Sequence, residues 1–151
     1  MMFRHSLAAF MFCASLLGCA TPSNPSVTLP LTATGQNTGQ IGSVAMSDWG
    51  QQKTGFSFII SGVPNGASLP LRLNAFIYKG SCRQPGALAY DMNDQVTTER
   101  QAIRGWTFSR SAPVAMPVLL AGDYSVIVRS AATDGNGDIF CGDIPRSGSV
   151  K

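Results

Sequence analysis

Phe56-Ser-Phe-Ile-Ile60 and Leu69-Pro-Leu-Arg-Leu-Asn-Ala-Phe-Ile77 carry an apolar residue at every second position. Successive side chains of an extended chain point to opposite faces, so this alternation predicts two strands, each with one buried face. Between them Gly62–Ser68 contains Pro64-Asn65-Gly66, a turn signal. The same period runs through Val27, Leu29, Leu31 and Ala33, and Asn136-Gly137 is a short hairpin signal joining Tyr124–Ser130 to Asp138–Ile144. Shorter candidate strands lie at Ile41–Met46, Leu88–Asp91, Gly105–Ser109 and Ala115–Leu120. Helical periodicity and internal repeats are both lacking beyond residue 18. The expected fold is all-β, an antiparallel Greek-key β-sandwich or barrel of about seven or eight strands.

Upstream, Leu16-Leu-Gly-Cys19 closes an apolar run that opens after Arg4 and His5 and gives way to Thr21, Pro22, Ser23 and Asn24. A transmembrane helix needs roughly 20 apolar residues. A basic start, a shorter apolar centre and a small residue before the cut describe an export signal instead. The four residues resemble a bacterial lipobox. That resemblance implies cleavage before Cys19, a diacylglycerol thioether on its sulfur, and acyl chains such as palmitate that anchor the protein stably in a membrane. Ala20, where an aspartate would favour inner-membrane retention, implies an outer-membrane address in the cell envelope, with the domain in the periplasm. The expected organisation is a lipoprotein signal peptide at 1–18, a lipidated N-terminus and tether at 19–26, and a single β-sandwich domain at 27–151.

Processing would remove the only histidine, His5, together with Cys13. The mature chain then lacks an imidazole for Ser-His-Asp or Cys-His catalysis and for the usual zinc or copper sites. No catalytic residue, metal site or cofactor is expected. Beyond Cys19, Cys82 and Cys141 remain, in an oxidising compartment that favours their pairing. A disulfide closing a loop of about 60 residues would contribute on the order of 4 kcal/mol by restricting the unfolded chain.

Eleven Lys or Arg stand against eight Asp or Glu. Arg72, Arg83, Arg100, Arg104, Arg110, Arg129 and Arg146 fall in different segments, which predicts solvated surface residues and no nucleic-acid partner. Asp134-Gly-Asn-Gly-Asp138 looks like a calcium loop but lacks the glutamate at the twelfth loop position, so a turn is expected. Met46, Met92 and Met116 lack the close spacing of a Cu(I) site, and Asp91, Asp94 and Glu99 are scattered candidates for paired carboxylates.

Three stretches resemble the Cu/Zn superoxide dismutase family. Phe56–Cys82 is similar to that family's strand, turn, histidine-bearing strand and Gly-Ser-Cys, here Gly80-Ser81-Cys82. Val126–Asp134 resembles its last metal-bearing strand, and Phe140-Cys-Gly-Asp-Ile144 its terminal disulfide segment. The resemblance implies a superoxide dismutase-like sandwich without its chemistry. Alignment from Gly80-Ser81-Cys82 puts Ala75 and Ile77 at the histidine positions of the first metal strand and Arg129 near the later copper histidine, and no zinc loop stands between Cys82 and Gly105. The expected function is that of a noncatalytic outer-membrane lipoprotein binding a protein or envelope component through loops such as Arg83–Gly86 or Asp91–Arg104. The alternative is periplasmic copper handling by methionine and carboxylate groups, or a divergent superoxide dismutase-like protein. It requires Ala75, Ile77 and Arg129 to share a solvent-open cleft.

Overall fold

The alternation predicted around Phe56 and Leu73 is reproduced by burial. A computed structural model describes residues 25–94, 98–100 and 104–148. Its elements are β1 (Ser26–Ala33), β2 (Ile41–Asp48), β3 (Thr54–Ile60), β4 (Leu73–Ser81), β5 (Gln84–Asp91), β6 (Thr98–Arg100), β7 (Trp106–Ala112), α1 (Met116–Ala121), β8 (Tyr124–Ser130) and β9 (Asp138–Asp143). Leu29 and Leu31, Val44 and Met46, Phe56, Phe58 and Ile60, and Leu73, Ala75 and Ile77 all face one buried cluster.

The strands form a single antiparallel sheet in the order β5-β4-β8-β9-β1-β2-β3-β7-β6. β4 and β7 stand near opposite ends of that order, yet Arg110 of β7 donates Nη2 to the backbone oxygen of Leu73 in β4. Contact across the order requires the sheet to curl on itself, so that its two halves enclose the apolar cluster. Phe58 and Phe108 stack within it, with ring centroids 4.5 Å apart. Cys82 and Cys141 are joined by a disulfide that ties the end of β4 to β9.

Four expectations need correction. Leu69 does not extend β4: it is 74% exposed, and Pro70, which lacks a ladder donor, ends the extended run. Ala115–Leu120 is not a strand. Its apolar residues do not alternate, Pro117 sits in the first helical turn where its missing N–H costs nothing, and α1 buries Met116 and Leu119 at helical spacing. The β8–β9 hairpin pairs as predicted, Ser125 with Asp143 through Arg129 with Asp138. Its connection, however, holds a 3-10 turn at Ala132–Asp134, with Gly135 and Asn136 at φ 90° and 51°, rather than a two-residue Asn-Gly turn. Finally β5 begins at Gln84, so most of the predicted Arg83–Gly86 loop is strand.

Candidate functional site

β4 and β8 pair in a register that sets Asn74 opposite Arg129, Phe76 opposite Ile127 and Tyr78 opposite Ser125. Because Leu73, Ala75 and Ile77 point inward, Asn74, Phe76 and Tyr78 point outward with Arg129. Arg129 Nε donates to Asp138 Oδ1 at 2.6 Å. Its Nη2 donates to the Tyr78 hydroxyl at 3.3 Å. The guanidinium carbon lies 4.9 Å from the centroid of Phe76 and 6.0 Å from that of Tyr78, and the two rings meet edge to face. The hydrogen bond to Asp138 holds the guanidinium more firmly protonated than usual, against a smaller opposing effect of burial and with help from Tyr78. Such a group does not exchange protons near neutrality. It offers a fixed, half-buried cation and two aromatic faces, the chemistry of recognition rather than of acid–base catalysis.

Ala75 and Ile77 are fully buried in the core, whereas Arg129 lies on the opposite face of the sheet. The three residues therefore do not share a cleft. The residues present do not fit a copper or zinc ion: the two aligned positions are apolar and inward, and the third is a cation bound to Asp138. Among the described residues no group of three His, Cys, Asp or Glu side chains could hold a metal. Met46, Met92 and Met116 are buried members of the core cluster, placed on β2, after β5 and on α1.

Of the remaining sequence candidates, Asp134, Asp138 and Asp91 are occupied locally. Asp134 Oδ1 accepts from the backbone N–H and hydroxyl of Ser68, at 3.0 and 2.6 Å, and Asp138 serves Arg129, so both ends of the calcium-like stretch are held by protein donors. Asp91 Oδ1 accepts from the backbone and side-chain amides of Asn93. Asp94 is exposed. The side chains of Glu99 and Arg100 lie outside the described residues, as do Cys19, the signal and tether through residue 24, and residues 95–97 and 101–103 of the predicted Asp91–Arg104 loop.

Arg110, expected at the surface, is instead buried. It is 3% exposed, donates to the backbone oxygens of Ser109 and Leu73, and stacks 5.0 Å from the Phe108 ring centroid. Burial lowers its pKa to about 10. The sequence held the signal for this, since Phe108, Arg110 and Ala112 share one phase of β7. Phe76 and Tyr78 were legible in the same way, as the aromatic alternate phase of β4. No protein-family model, curated protein or solved structure matches the chain.

Proposed function

We propose that this chain is a noncatalytic outer-membrane lipoprotein, anchored through acyl chains on Cys19, whose domain works in the periplasm as a binding module for a protein or envelope component. We further propose that its curled sheet is a Greek-key sandwich of the superoxide dismutase type that has exchanged metal chemistry for structural packing. The strand order supports the topology, because the β3–β4 and β7–β8 connections cross between the two halves of the sheet. The disulfide supports an oxidising compartment.

The observation that carries the noncatalytic reading is the separation of Ala75 and Ile77, buried inward, from Arg129, pinned outward by Asp138. The recognition surface in this reading is the outer face of Phe76, Tyr78 and Arg129, a held cation beside two aromatic rings. The test is the metal content and superoxide-dismuting activity of the mature domain purified from the periplasm after exposure to copper and zinc. The reading expects neither bound metal nor activity; stoichiometric copper overturns it.

A further inference from the structure

The register of β1 fixes which end of the domain its N-terminal tether leaves. Ser26 pairs with Ser47, one rung from the β2–β3 hairpin at Trp49–Lys53. A covalent chain spans at most about 3.5 Å per residue, so the seven residues from Cys19 to Pro25 keep Ser26 within roughly 25 Å of the Cys19 backbone. The opposite end, with the Gly62–Ser68 loop, lies a full strand away, roughly 26 Å for eight residues.

The tether end exposes apolar surface, as does the opposite end at Ile41, Ile59 and Leu69. Trp49 is 55% exposed and Val118 of α1 is 50% exposed. The indole packs against Gly55, where an added Cβ would stand 2.0 Å from the ring, and its Nε1 donates to Ser47 Oγ at 3.1 Å. The ring is thus held in one orientation. α1 belongs to the same end, because Thr54 Oγ1, at the start of β3, donates to the backbone oxygen of Val114 at 2.7 Å. Met116 and Leu119 insert into the core, while Pro117, Val118 and Ala121 are left outside. Ala112 through Gly122 contains no polar side chain, an unusual composition for a segment with this much exposure. Charge at this end is mixed: Lys53 is exposed, Asp48 accepts from the Gly50 amide, and Asp123 pairs with Arg146 at 3.3 Å.

We infer that this end, with Trp49 and the outer residues of α1, seats on the bilayer surface in which Cys19 is anchored. The inference rests on the lipoprotein reading above. Tryptophan favours the membrane interface because its ring is apolar and its N–H polar. An apolar patch too weak to bind a membrane from solution binds one when a short tether raises its local concentration. The mixed charge makes the contact apolar rather than electrostatic, so it is insensitive to salt. Seating leaves the outer face of β4 and β8 free to meet a partner.

The test uses the full chain produced in a bacterial host with Trp106→Phe, so that Trp49 alone emits, purified with its lipid and reconstituted into phosphatidylethanolamine–phosphatidylglycerol vesicles carrying shallow-brominated phospholipid. Mass spectrometry of the mature N-terminus runs in parallel. The expected result is a diacylglycerol on Cys19, at least twofold quenching of Trp49 by the brominated lipid at low and high salt, and loss of that quenching in Val118→Asp with lipid retained. The separate Cys19→Ser chain should show iodide quenching only. A lipidated protein whose Trp49 is quenched by iodide as strongly as in Cys19→Ser, and not by brominated lipid, overturns the docking and leaves the lipoprotein reading standing. Protection from both quenchers assigns the surface to a second copy of the chain and likewise overturns it. An unmodified Cys19 overturns the lipoprotein reading, and the docking with it.

Discussion

Arg129 donates Nε to Asp138 across the β8–β9 pair at 2.6 Å while its guanidinium covers the ring of Phe76. With side-chain exposures of 23% and 40%, this ion pair is partly screened by solvent, and its worth lies nearer a surface pair than a buried one. Arg129→Met should lower stability by about 1 kcal/mol in urea unfolding. The folded-state pKa of Arg129 is raised, so its contribution is fully present below the unfolded-state value and disappears only as pH rises through the folded one. The difference between wild type and variant should therefore stay constant from about pH 7 to pH 11. A difference that vanished within that range would contradict the assigned pairing.

Cys82 and Cys141 are 59 residues apart, and removing their cross-link frees a long loop in the unfolded chain. The double variant Cys82→Ser with Cys141→Ser should lose on the order of 4 kcal/mol, measured as a shift in the denaturation midpoint. A loss below about 1 kcal/mol would mean that the bridge does little for this sandwich.

Arg110 links the two halves of the curled sheet through the Leu73 carbonyl. Arg110→Met fills similar volume but leaves that carbonyl without its side-chain donor, a cost of about 1–3 kcal/mol. Its pH dependence has a definite sign. The folded pKa, about 10, lies below the ordinary arginine value, so between the two the unfolded state binds more protons and folding of the wild type is favoured by rising pH. Wild-type stability relative to the variant should climb above about pH 10.

Ser125 is fully buried, and its hydroxyl has no hydrogen-bond partner among the described residues. Ser125→Ala should be neutral or raise stability by up to about 1 kcal/mol, since an unsatisfied hydroxyl costs desolvation without return. Thermal unfolding decides it, and a loss above about 1 kcal/mol would reveal a bond to the hydroxyl.

Ala75→His places an imidazole at the position that the superoxide dismutase resemblance aligns with a metal ligand. Ala75 is fully buried among apolar side chains, so the larger polar ring should cost about 1–3 kcal/mol in overpacking alone, and elemental analysis should find no copper gained. Copper binding by this variant would mean that β4 turns its other phase outward.

Much of the fold is legible in the chain because a period of two is a local property. Phe56-Ser-Phe-Ile-Ile60 and Tyr124–Ser130 read as strands from their own residues. Pairing of Cys82 with Cys141 was equally accessible, because these are the only two cysteines that follow Cys19 in the sequence. The short α1 was missed because its buried pair, Met116 and Leu119, spans too little chain to establish a helical period.

What the sequence by itself determined is therefore the strand character of most segments, the disulfide partners and the expectation of export. Tertiary structure alone decided which strands lie side by side and in what register. A slip of one residue exchanges the two faces, and alignment from Gly80-Ser81-Cys82 could not show that Phe76 and Tyr78, rather than Ala75 and Ile77, join Arg129 outside. That choice depends on β8 pairing beside β4 and on the sheet curling until Arg110 reaches Leu73, contacts between residues far apart in the chain that no local pattern encodes.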